Sequence, residues 1–154
     1  MIQHEIGVLM AELGPAADLA AVAEYPGDGG WGLMVDDETI IDVELDPANA
    51  VLVLSADVCV LPEARADHWC RLMLNFNDQW LDTGGFRLAL SAAGNMVSQS
   101  LILPAAGLEP ALLRQRLARF VEVLGAWRAM LAREPGATEQ AATPHPHPGG
   151  IIRG

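Results

Sequence analysis

The sequence predicts an α+β protein: an antiparallel twisted sheet of about five strands with three helices, in the order α-β-β-β-α-β-β-α. Three observations carry this. Apolar residues recur at helical spacing in three separated stretches, the period falls to two from Trp31 and again from Phe86, and glycine or proline marks the joints. A chain of 154 residues supports one core better than two. The predicted domain spans 1–133, and 134–154, rich in Pro and Gly and without periodicity, is set apart as a disordered tail.

The first helix is expected over 2–13, where Ile2, Ile6, Leu9, Met10 and Leu13 share one face, and Gly14-Pro15 should end it. "AADLAAVAEY" reads as at most a further helical turn or two, stopped by the turn sequence "PGDGG" at 26–30. "WGLMV" and "TIIDVEL" then pair as a hairpin across "DDE". Ile41, Val43 and Leu45 alternate with Asp42 and Glu44, as in a strand with one wet face. After "DPAN", "AVLVLSADVCVL" gives a third strand, apolar on both faces and therefore covered along part of its length.

Pro62 closes that segment, and "EARADHWCRLMLNFNDQW" turns helical with Trp69, Leu72 or Met73, Phe76 and Trp80 down one side. Cys70 and Leu74 lie away from that line. A helix apolar on two sides needs two neighbours, and in so small a domain the second is expected to be another subunit. Asp82-Thr83-Gly84-Gly85 breaks the helix, because paired glycines allow the positive φ of a cap and a sharp entry into a strand. "FRLAL", with Phe86, Leu88 and Leu90 inward, and "MVSQSLIL" form a second hairpin across "SAAGN". Pro110 suits a first helical position, and the last helix carries a stripe of Leu113, Leu117, Phe120, Leu124, Trp127 and Leu131.

Charge narrows the partners. The net charge is -11, every basic residue is an arginine, and the thirteen carboxylates before Arg65 have no Lys or Arg among them. Nucleic acid and anionic membrane would both be repelled, so neither is expected. The field suits a solubilising shell or the steering of a basic partner. No apolar run reaches the roughly 18 residues of a membrane span, and no basic n-region leads into an apolar h-region. A cytoplasmic protein without membrane insertion is expected. Cys59 and Cys70 stand in no metal-ligand or redox spacing and read as reduced thiols used for packing.

No catalytic constellation is visible. His4, His68, His145 and His147 form no HExxH, GxSxG is missing, and the flexible "HPHP" offers neither ligand count nor second shell. Gly84-Gly85 is no phosphate loop, since the chain has no lysine and the glycines lead into a strand. "DDE" at 36–38, with Asp42 and Glu44, is the one cluster suited to acid/base work or a cation. Such work needs a pKa shifted by burial or a close neighbour, and carboxylates in a turn or on a wet strand face are expected to be solvated. No catalytic, cofactor-binding or metal-binding residue is therefore expected. A small α+β enzyme or ligand-binding domain working from 36–44 is the alternative.

The helix with Leu72, Leu74 and Asn75, the aromatic Trp80, the Thr83-Gly84-Gly85 break, the Leu88-x-Leu90 strand, the strand ending Leu103-Pro104 and the helix closing on Ala126-Trp127-Arg128 form a pattern. That pattern resembles the class I chaperones of bacterial type III secretion, the Tir-chaperone-like family, and "WGLMVDDETIIDVEL" is similar to the family's acidic first hairpin. The resemblance covers about 2–131; the long "GPAADLAAVAEYPGDGG" and the tail depart from it. It implies a homodimeric, non-catalytic chaperone that uses no ATP. Such a chaperone holds the N-terminal region of a secreted effector soluble, partly unfolded and secretion-competent. On that footing Ile6, Met10, Leu33, Val35, Ile41 and Val43 are expected to offer the effector-binding surface. Cys70, Leu74, Asn77 and Leu88 are expected at the dimer contact.

Overall fold

Period-two alternation becomes a single six-stranded antiparallel sheet in the computed structural model, which describes residues 2–27 and 29–134. The elements are α1 (Ile2–Ala16), β1 (Ala21–Tyr25), β2 (Gly30–Met34), β3 (Ile40–Asp46), β4 (Val51–Val60), α2 (Ala66–Asp78), α3 (Trp80–Thr83), β5 (Arg87–Leu90), β6 (Met96–Pro104) and α4 (Pro110–Ala132). Spatially the strands run β1-β2-β3-β4-β6-β5. The tail expected from 134 lies outside the described residues except for Glu134, which pairs with Arg65 at 2.7 Å.

Strand register gathers one phase of every strand on one face. Leu33 stands opposite Ile41, Val43 opposite Leu54, Leu54 opposite Leu101, and Leu52 between Leu45 and Leu103, all buried. Helix α4 lies over this face with Leu113, Leu117, Phe120, Leu124, Trp127 and Leu131 all buried, as its stripe predicts. Helix α1 adds Ile6, Leu9, Met10 and Leu13. Each such burial is worth roughly 1.5–3 kcal/mol, so the α4 stripe is a principal source of adhesion between helix and sheet.

Two polar side chains pin the layers together. Gln99, fully buried on β6, donates its amide to the Phe120 carbonyl of α4 at 2.9 Å. Arg128 of α4 reaches the place where β4 slips register between Asp57 and Cys59. A bulge leaves carbonyls without ladder partners. Here Arg128 donates to the Asp57 carbonyl at 2.7 Å and the Val58 carbonyl at 3.1 Å, and a third bond reaches the Thr39 hydroxyl at 2.7 Å.

Three expectations change. Helix α1 does not stop at Gly14-Pro15 but runs to Ala16, because its last turn packs on β1: a Cβ on Gly14 would already sit 3.4 Å from Val22. "AADLAAVAEY" supplies β1, not helical turns. Alanine favours helix, but residues 21–25 pair with the whole of β2, and tertiary pairing overrides that weak preference. The sheet therefore has six strands instead of about five. Trp80 leaves the α2 stripe to begin the separate turn α3, since α2 ends at Asp78.

The glycine joint forms as expected. Gly84 and Gly85 both take φ of 86°, and the Gly85 N–H donates to the Trp80 carbonyl at 2.8 Å, closing α3 and aiming Phe86 into the core. Left-handed backbone costs an L-residue about 1–2 kcal/mol, and a β-branched one more. Gly85→Val should therefore lower the urea midpoint by an amount equivalent to about 2 kcal/mol at unchanged m-value; an unshifted midpoint would contradict this account of the joint.

Candidate partner-binding surfaces

The helices cover one face of the sheet, and among the described residues no element covers the other. On that outer face, Tyr25, Gly30, Glu44, Val53 and Ile102 form one row across the strands, and Ala23, Gly32, Asp42, Ser55, Ser100 and Arg87 form the next. Met34 and Ile40 face each other beyond them. Ile40 is 50% exposed and Ile102 55%. A sheet face meant only for water carries polar residues; this one mixes large apolar side chains with a floor of Gly, Ala and Ser.

Tyr25 explains the two glycines of β2. Its ring lies over Gly30 and Gly32, and its hydroxyl donates to the Asp42 carboxylate at 2.7 Å. A Cβ on Gly32 would come within 2.6 Å of that hydroxyl oxygen, so any other residue there expels the ring. Burial first, then the bond to Asp42 and the charges of Asp42 and Glu44, push the phenol up to about 12.

The remaining carboxylates of 36–46 do structural work. Exposed Asp36 accepts the Glu38 N–H at 2.9 Å in the β2–β3 turn, and that bond, ahead of those to Thr39, holds its carboxyl below the usual range. Asp46 accepts the N–H groups of Ala48 and Asn49 and the Asn49 side-chain amide, which together lower its pKa, the side-chain bond most. Both displacements run opposite to what a general acid near neutral pH needs. Among the described residues no three potential ligands gather in a metal-binding group.

A second open surface runs along α2, α3 and the β5 edge. Trp69 and Met73 point inward, and Phe76 meets Trp127 edge-on with ring centroids 5.3 Å apart. The other side shows Leu74 at 67%, Trp80 at 51% and Leu81 at 76% exposure. Asn77 lies between this flank and the sheet. Its amide NH2 donates to the Leu88 carbonyl and its Oδ1 accepts the Leu88 N–H, both at 2.8 Å. A side-chain amide thus takes the place of a neighbouring strand's peptide group and closes the β5 edge at that residue.

Of the residues expected at the effector surface, Ile6, Met10, Leu33, Ile41 and Val43 lie in the core beneath the sheet, not on the surface of the chain, and Val35 is half-buried against that core. The outward phase, one residue away, brings Ile40, Asp42, Glu44 and Ile102 together. Of those expected at the dimer contact, Leu74 is exposed, Cys70 half-buried, Asn77 bonded within its own chain, and Leu88 buried. Met34, Ile40, Ile102 and Leu81 are not among the residues the sequence singles out, and Trp80 is expected on the apolar stripe of α2, not on an open flank. The signal for Ile40 and Ile102 was present, as apolar residues in the otherwise polar phase of their strands.

Two measurements check this geometry. Tyr25 is the only tyrosine of the chain, so ultraviolet absorbance reports its ionisation alone. Its midpoint should lie near pH 12 in the folded protein and fall to about 10 in urea. Because the folded value is the higher, the stabilisation linked to this proton is complete below pH 10 and lost as pH rises through 12. Asn77→Leu leaves the Leu88 peptide groups without partners and should destabilise the fold by about 1–3 kcal/mol in urea titration, whereas a neutral effect would show the edge to be satisfied otherwise.

The Tir chaperone protein (CesT) family matches residues 10–128. No curated protein matches the chain by sequence. Among solved structures, a chain of the ExsC-ExsE complex superposes with a TM-score of 0.70 at 21% identity, covering 84% of this chain and 95% of the other. A chain of the HopA1-SchA chaperone-effector complex does so with a TM-score of 0.66 at 16% identity, covering 82% and 95%. The Yersinia pestis type III secretion chaperone SycH, in complex with a fragment of YscM2, gives 0.57 at 15% identity, covering 80% and 97%. The structural likenesses speak for the fold, and the match over 10–128 takes in every strand, the second half of α1 and most of α4. The chain belongs to the Tir chaperone protein (CesT) family.

Proposed function

We propose that this chain is a cytoplasmic type III secretion chaperone that acts as a homodimer and binds the N-terminal region of a secreted effector, keeping it soluble, partly unfolded and secretion-competent without ATP. The observation that carries this is the uncovered sheet face with exposed Met34, Ile40 and Ile102, in a chain of a chaperone family. An unfolded segment needs apolar contact without enclosure, and an open sheet supplies it. The free side of β1, which no described strand pairs, offers main-chain hydrogen bonds to an added strand. Ile6, Met10, Leu33, Ile41 and Val43 then act from below as the support of that face, with Val35 at its rim. No helix of the described residues is long and apolar enough to cross a membrane.

The same reading makes the protein a binder and not an enzyme. Asp36 and Asp46 spend their oxygens on turn amides, and Asp42 holds Tyr25. The dimer is assigned to the flank of Leu74, Trp80 and Leu81 beside the half-buried Cys70, with Asn77 and Leu88 fixing the edge on which it rests. Apolar side chains of that size, two-thirds or more exposed at Leu74 and Leu81, are costly to leave in water.

The test is to isolate the protein from its native cell and identify what accompanies it. A stoichiometric larger protein, held through its N-terminal region as mapped by limited proteolysis, is the expected result; a solitary protein that turns over a small molecule would overturn the proposal. Leu74→Asp with Leu81→Asp should convert the dimer to a monomer by light scattering while far-ultraviolet circular dichroism is retained, and an unchanged dimer would move the interface elsewhere.

A further inference from the structure

Resting on the chaperone reading, we infer that the outer sheet face selects its bound segment by charge, and that Glu44 receives a basic side chain from that segment. Two of the three carboxylates that β3 turns outward are engaged within the chain. Asp42 accepts the Tyr25 hydroxyl at 2.7 Å, and Asp46 holds the amides of Ala48 and Asn49. The Glu44 carboxylate, between them, makes no hydrogen bond or ion pair with any described residue. Across the sheet it is flanked by Gly30 and Tyr25 on one side and by Val53 and Ile102 on the other.

Covering that position has a consequence. A segment that buries its apolar side chains on Ile102, Val53, Met34 and Ile40 also takes Glu44 out of water, and a carboxylate buried without a partner is strongly unfavourable. Among the described residues no cation is on offer there. No Lys or Arg precedes residue 65, Arg128 is tied to the β4 bulge and Thr39, and Arg87, the one arginine in any described strand, lies in the Asp42 row three strands away, roughly 14 Å. The donor must come with the ligand. The face therefore accepts a segment in which an arginine or lysine stands between apolar side chains, and rejects one that brings a carboxylate there. Discrimination of this kind comes as much from the penalty on the wrong partner as from attraction to the right one.

Three fluorescein-labelled synthetic peptides test this: 20-residue leucine-rich amphipathic sequences identical except for Arg, Gln or Glu at the central polar position. Their affinities are read by anisotropy at low salt against the full-length protein, Glu44→Gln, Glu44→Arg and Ile102→Asp, each variant first shown folded by its urea midpoint. The Arg peptide should bind the unaltered protein about tenfold or more tighter than the Glu peptide. Glu44→Gln should flatten that preference, Glu44→Arg should invert it, and Ile102→Asp should weaken all three. The same order of affinities in the unaltered protein and in Glu44→Arg overturns the inference. So does binding that ignores Ile102→Asp, or no binding at all. None of these results removes the chaperone reading, which falls only if no effector accompanies the native protein.

Discussion

A sheet has two faces and two edges, and the helices of this chain reach one face and one edge. That shortage of cover is the constraint from which the other features follow. Helices α1 and α4 seal the inner face with side chains that are almost wholly buried. The outer face is left with Met34, Ile40 and Ile102 at a third or more exposure over a floor of small residues. Such a floor lets a foreign backbone approach closely, and the larger side chains at its margins supply contact area. Tyr25 shows what the floor accommodates, since an aromatic ring already lies on Gly30 and Gly32.

The edges are treated differently from each other. At β5, Asn77 supplies the hydrogen bonds of a missing strand and α2 stands alongside. Sheet extension at that residue is blocked, and what remains available is the apolar flank of α2 and α3. At β1 no described strand intervenes. An unprotected edge is an aggregation hazard in most proteins and a useful feature in one whose work is to hold extended chain. The negative charge of the preceding and following segments keeps that edge from pairing with copies of itself.

Much of the fold was legible in the sequence because period alone fixes it. The α4 stripe, both predicted hairpins and the Gly84-Gly85 joint depend on spacing and on the backbone freedom of glycine, which are local properties. Strand β1 was not legible: "AVAEY" has the composition of a helix and becomes a strand only because β2 lies beside it. The site was hidden for a different reason. Alternation separates Ile41 and Val43 from Asp42 and Glu44, but it does not reveal that the helices dock on the isoleucine and valine side and leave the other bare. The two bonds between Asn77 and Leu88 join residues on different elements, and no periodicity records them.

The order of the strands also settles where charge sits relative to the two open surfaces. The anionic half of the sequence ends before Arg65, so it builds α1 and β1 to β4, while eight of the nine arginines fall on or beside α2, β5 and α4. Because β5 lies at the far end from β1, roughly 24 Å away across five strand spacings, a dimer made through α2 and α3 places the two acidic ends furthest apart. Each β1 end then lies about three Debye lengths of physiological salt, roughly 8 Å each, from the β5 side of its own sheet, and the two acidic ends stand further apart still, so their mutual repulsion is screened out. Acidity that repels nucleic acid, discourages self-pairing at the β1 edge and would face an incoming basic segment would then cost a dimer of that kind almost nothing.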